Sequence, residues 1–158
     1  MRLQEFMIKD TRQAMEGAFR YAKVVPEDKR DWKPLDTGRS VLDLARELAM
    51  CPDWASQLFD PAIAEAATHE AEANEMASWQ SVEACEVACY KKLDRYFDVI
   101  ANFPDDKLSE TSELPFGPGG TMQTFTMEEL MDYPRWNAAY HQGQIAYIQT
   151  LYGDKSLY

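Results

Sequence analysis

The 158 residues are 46% hydrophobic and 12% aromatic, the composition of one globular domain that buries a core without disulfide support. Its 27 Asp and Glu against 16 Lys and Arg give a formal charge of −11, which repels phosphate backbones and anionic bilayers and argues against nucleic acid and membrane as partners. No apolar run approaches the ~20 residues that cross a bilayer, and the N-terminal stretch MRLQEFMIKDTRQ lacks the apolar block of a secretion signal, so a cytoplasmic setting is expected.

A first helix is predicted from the N-terminus to about Val24, stopped by Pro26, with Ile8, Met15, Phe19 and Ala22 at helical spacing on its apolar face. The connection PEDKRDWKPLDTG is polar, and Trp32 within it is expected to fold its indole back onto the helices. Ser40 with Asp43 resembles a capping box that opens a second helix running to about Asp60, with Pro61 beyond it. Pro52 lies inside that span and should kink it or divide it.

The stretch PAIAEAATHEAEANEMAS reads either as an early start of the third helix or as an exposed link, with His69 facing solvent. From Trp79 to Ile100 the pattern is a helix with Trp79, Val82, Cys85, Cys89, Tyr96 and Ile100 along one side. Cys51, Cys85 and Cys89 show no C-x-x-C spacing and read as reduced, buried thiols rather than soft metal ligands. Gly-Pro-Gly-Gly in TSELPFGPGGTMQTF suits a turn or a short hairpin within residues 111–125. Thr126 and Glu129 form a second capping box that opens the last helix, and Gly153 closes it. Pro134 should bend that helix or mark where its main segment begins. The sum is an all-α domain, a four-helix bundle with an irregular or hairpin insertion before the last helix.

That last helix carries the best handle on function. Steps of three or four from Asn137 reach His141, then Gln144 or Ile145, then Ile148 and Tyr152, so Asn137 and His141 continue a core-facing row. Buried polar side chains need partners, because each one left unsatisfied costs about 1–3 kcal/mol. Gln142 and Gln149 fall off the row and read as solvent-facing. On the second helix Leu44, Cys51, Trp54 and Leu58 share a face, and a step of three from Leu44 lands on Glu47, a carboxylate inside that row. A small rotation instead turns Val41, Leu48 and Ala55 inward and leaves Glu47 exposed. An inward Glu47–His141–Asn137 cluster has three readings: a satisfied polar network, a metal site, or an acid–base pair. Trp136, Tyr140 and Tyr147 read as core, with the walls of a ligand pocket as the alternative.

The string YHQGQIAYIQTLYGD resembles the C-terminal helix of the DinB-like (YfiT-like) superfamily, in which His-x-Gly-Gln-[Ile/Leu] is typical. The segment DWKPLDTGRSVLDLARELA resembles that family's entry into its second helix. The resemblance implies a four-helix bundle of crossover topology, assembled as a homodimer. It also implies a divalent metal held by three histidines, one from the second helix and an H-x-x-x-H pair from the last. The activities it implies are those of hydrolases or thiol transferases acting on small molecules.

Here only the final histidine of that set is kept, as His141; its partners in the pattern fall on Asn137 and Glu47. The expected ligands for zinc, nickel or manganese are therefore Glu47, Asn137 and His141, a set weaker than three imidazoles. The alternative is a non-catalytic ligand-binding or stress-response dimer in which the same three side chains form a metal-free network.

Overall fold

Leu3–Val24 forms α1, twenty-two residues with no interior proline. The computed structural model describes the whole chain, residues 1–158. Met15, Phe19 and Ala22 are buried on the expected face, Ile8 is half-buried beside them, and Val25 turns extended ahead of Pro26. The connection that follows holds a single turn, α2 (Glu27–Arg30). Trp32 does not fold back as expected, and remains 39% exposed. Arg30 fastens this connection instead: its guanidinium donates to the carbonyls of Val25 and Lys23, both at 2.9 Å, and meets Glu83 at 2.9 Å.

The Ser40–Asp43 capping box opens α3 (Val41–Phe59), with both reciprocal hydrogen bonds at 3.1 Å. Pro52 does not divide it. Having no N–H, Pro52 leaves the Leu48 carbonyl without its helical donor, and the buried Cys89 thiol donates to that oxygen at 3.6 Å. Both candidate inward sets of α3 hold buried residues: Leu44 and Cys51, and also Val41, Leu48 and Ala55. Neighbours pack on two sides of the helix, so the choice between the two rotations does not arise.

The Ala- and Glu-rich stretch is not an early third helix but the exposed link of the two alternatives, and it is helical. It forms two short helices, α4 (Pro61–Ala66) and α5 (His69–Ser78), with no buried residue in either. Asp60 and Thr68 cap them, and the Glu72 carboxylate ties α5 to α3 by accepting from Trp54 Nε1 at 3.1 Å and Gln57 Nε2 at 2.7 Å. His69 is exposed, as expected. Helix α6 (Val82–Ala101) then buries Val82, Cys85, Cys89, Tyr96 and Ile100, the side read from the sequence, and Trp79 is buried just ahead of it.

Strands β1 (Thr111–Leu114) and β2 (Gln123–Thr126) pair antiparallel as the hairpin, Thr111 opposite Thr126. The Thr126–Glu129 box opens only a short helix, α7 (Met127–Met131). The long helix, α8 (Tyr133–Leu151), begins afresh with Pro134 in its first turn, and Gly153 follows its end at φ 98°.

Cross-helix pairs fix the directions of the four long helices. Leu48 meets Cys89, Asp53 meets Lys92, and Phe59 meets Phe103, so α3 and α6 run the same way. Asp10 meets Arg135 and Tyr21 meets Tyr158, so α1 runs the same way as α8. Arg12 with Asp94 and Lys23 with Glu86 set α1 against α6, and Glu47 with His141 joins α3 to α8. For α3 and α6 to share a direction, the chain must travel back alongside them in between. Helices α4 and α5 make that return.

Because α8 packs along both α1 and α3, Gln149 is buried, contrary to the solvent-facing expectation. A charged cluster braces the other half: Lys92 meets Asp53 at 2.5 Å and Glu75 at 2.8 Å beside the Trp79 ring, and Arg95 closes on the other oxygen of Asp53. No helix is long and apolar enough to cross a membrane.

Candidate functional site

The row on α8 turns inward as its spacing requires. Asn137, His141, Ile145 and Ile148 are all buried, His141 at 1% exposure. Glu47 sits half-buried on the facing side of α3, and its Oε1 lies 2.8 Å from His141 Nε2. Asn137 Nδ2 approaches the same imidazole nitrogen at 3.2 Å. The three side chains singled out from the sequence therefore meet at one atom, His141 Nε2.

Two further side chains complete the cluster. Gln144 Oε1 lies 2.6 Å from His141 Nδ1, so an Nδ1–H donating to it fixes the ring's plane. Arg39 pairs with Glu47 Oε2 and keeps that oxygen occupied, which leaves Oε1 for the imidazole. Burial pushes the Glu47 carboxyl up, but hydrogen bonds and charge from His141 and Arg39 outweigh it and lower its pKa from 4.5 to about 2. The group is a carboxylate at any ordinary pH.

Chemistry follows from the Nε2–Oε1 contact. A bare nitrogen lone pair facing a carboxylate oxygen at 2.8 Å would be repulsive, so the pair needs a proton or another cation between them. Asn137 Oδ1 is also buried beside them with no hydrogen-bond partner. That atom is an acceptor left open at the other end of the amide whose nitrogen faces His141. Behind the cluster, burial and the Cys51 and Glu47 side chains raise the Tyr133 phenol, so it stays protonated.

The cluster forms the floor of a cleft of about 810 Å³, inside the ~300–1,000 Å³ range of small-molecule sites. Its walls come from α8, with Trp136 and Tyr140, and from the hairpin, with Phe116 and Phe125. Trp136, Tyr140 and Tyr147 are not core, as first expected, but 54%, 52% and 66% exposed. The first two line the cleft.

Sequence reasoning missed Arg39 and the hairpin wall. Arg39 precedes the α3 capping box, outside any helical period, and Phe116 reaches the cleft only through the folding of the hairpin. Gln144 lay on the row traced from Asn137, and its contact with His141 was the one legible signal among them. No family model matches the chain, and no curated protein matches it either.

Proposed function

We propose that the chain is a DinB-like four-helix bundle of crossover topology that acts on a small molecule in the cleft between α3 and α8. In this reading Glu47, Asn137 and His141 hold a divalent ion such as zinc, nickel or manganese. The observation that carries it is the meeting of Glu47 Oε1 and the Asn137 amide at His141 Nε2, with the oxygen of that amide, Oδ1, buried and unpartnered. The topology is supported by the shared directions of α1 with α8 and of α3 with α6.

The donors suit the ion chemically. One imidazole nitrogen, one carboxylate oxygen and one amide oxygen form a mixed set for a borderline divalent ion, with water completing the shell. Arg39 occupies only Oε2 of Glu47 and leaves Oε1 available. Bound there, the ion would lower the pKa of a water or thiol nucleophile, as in a hydrolase or thiol transferase. The chain's own residues do the rest. Gln144 holds the imidazole in the tautomer that keeps Nε2 free, and Arg39 keeps Glu47 ionised at its post. The aromatic walls of the cleft exclude water around the reacting group.

Arg39 also favours a second reading, because it already neutralises Glu47. In that reading the cluster is a metal-free polar network on the floor of a binding cleft. Titrating zinc, nickel and manganese into the native protein, Asn137→His and His141→Ala separates the two. Saturable binding strengthened by Asn137→His and abolished by His141→Ala supports the metal site. Equal, negligible binding by the native protein and Asn137→His leaves the network. A homodimer belongs to the same proposal, supported by the exposed Tyr147 and Leu151 on α8 and by exposed Leu157. Light scattering should give twice the chain mass at micromolar concentration, and a monomer mass would remove it.

A further inference from the structure

Exposed aromatic rings are uncommon on a small domain unless something covers them. Here three of them open onto one cleft: Phe116 at 49%, Trp136 at 54% and Tyr140 at 52% exposure. Trp136 and Tyr140 stack on each other along α8, with ring centres 5.4 Å apart and planes 9° from parallel. From the hairpin, Phe116 stacks on Tyr133, at the start of α8, at 5.7 Å and leans on Phe125 at 5.8 Å. The cleft thus has two aromatic walls, one helical and one from the hairpin.

The chain spends constrained backbone to hold Phe116 there. Its turn needs Gly117, where a Cβ would stand 2.2 Å from Thr121 Oγ1 and 2.7 Å from its carbonyl oxygen. Gly119 and Gly120 follow at φ 68° and 78°. The hairpin is anchored where it joins the helices, Met127 N–H donating to the Glu110 carbonyl at 2.9 Å and Glu128 N–H to that of Leu108 at 3.0 Å. Phe116 is not needed for the helical core, since it lies outside the buried cluster.

Charge narrows the occupant. Every charged group lining the cleft is already engaged: Arg39 with Glu47, Asp132 with Arg135, and Glu129 in the α7 capping box. The walls therefore offer ring faces and no unpaired cation, the Glu129 carboxylate being the one charge without an ionic partner. The floor offers one open acceptor, Asn137 Oδ1.

We propose that the cleft takes a flat, uncharged aromatic molecule of one or two rings, clamped between Phe116 and the Trp136–Tyr140 stack with a hydroxyl or amino group at the Asn137–His141 end. This rests on the cleft being the ligand site of the proposed function, but not on a metal being bound. Stacked and edge contacts with the walls supply the affinity, and the polar floor sets the orientation.

The test is calorimetric titration of 2-naphthol into the intact protein in excess chelator, with decahydro-2-naphthol as its saturated counterpart. The expected result is saturable 2-naphthol binding, about tenfold tighter than that of the saturated alcohol. Phe116→Ala and Trp136→Ala should each weaken it about fivefold, Phe116→Leu less, and Trp32→Ala, on an exposed ring elsewhere, not at all. Circular dichroism on each variant checks that the helices are intact. Equal binding of the two alcohols, indifference to both wall substitutions, or no binding at millimolar probe would overturn the proposal. Ring binding by a protein that never takes up metal would sink the metal reading alone. Metal uptake without ring binding would sink this one alone.

Discussion

Glu47→Gln keeps the size and shape of the side chain and removes only its charge. The native carboxyl is lowered from 4.5 to about 2 against the push of its own burial, through His141 and Arg39. At 1.36 kcal/mol per unit the depression corresponds to roughly 3 kcal/mol. Glu47 is 23% exposed and Arg39 44%, so solvent screening reduces the expected loss to about 2 kcal/mol. For a chain of this size that lowers Tm by about 4–8 °C. The sign follows from linkage: a carboxyl depressed in the folded state contributes stability above its unfolded pKa, and loses it as pH falls towards the folded one. The difference between native and Glu47→Gln proteins should be full at pH 7 and shrink between about 4.5 and 2. Urea unfolding followed by circular dichroism at pH 7, 4.5 and 3 measures it. Equal stabilities at pH 7, or a difference that does not change with pH, would refute the electrostatic account of the pair.

Lys92→Met should lose about 3 kcal/mol, because it leaves buried Asp53 with Arg95 alone, and adding Asp53→Asn should recover part of that loss in urea unfolding. Cys51, Cys85 and Cys89 are fully buried and burial raises all three thiols, Cys85 to about 11, so a thiol reagent at pH 8 should modify none in the folded protein and all three in denaturant. One thiol reacting at the rate of a free cysteine would contradict the packing of α3 on α6.

The long helices were legible where capping boxes and helical periods are local: Ser40–Asp43 opens α3 and the row from Val82 to Ile100 lines α6, whereas Thr126–Glu129 opens only the short α7 and not the last helix as expected. Glu47, Asn137 and His141 could be matched because each interrupts an apolar row that must face inward. Burial of Gln149 was not legible, since the period gives one face and α8 uses two, against α1 and α3. Trp136 and Tyr140 were left between core and pocket wall because hydrophobicity does not separate a core ring from a cleft ring, and the fold decides for the wall. Arg39 and Phe116 depend on chain segments that meet only after folding, and no spacing encodes such a meeting.

Where a divalent ion sits, if one binds, is the most direct question for the proposed site. Crystals of the native protein soaked in manganese and measured for anomalous scattering answer it. The account predicts a peak within bonding distance of Glu47 Oε1, Asn137 Oδ1 and His141 Nε2, absent from crystals of His141→Ala. An empty cluster, or a peak elsewhere on the acidic surface at the same manganese concentration, would contradict it.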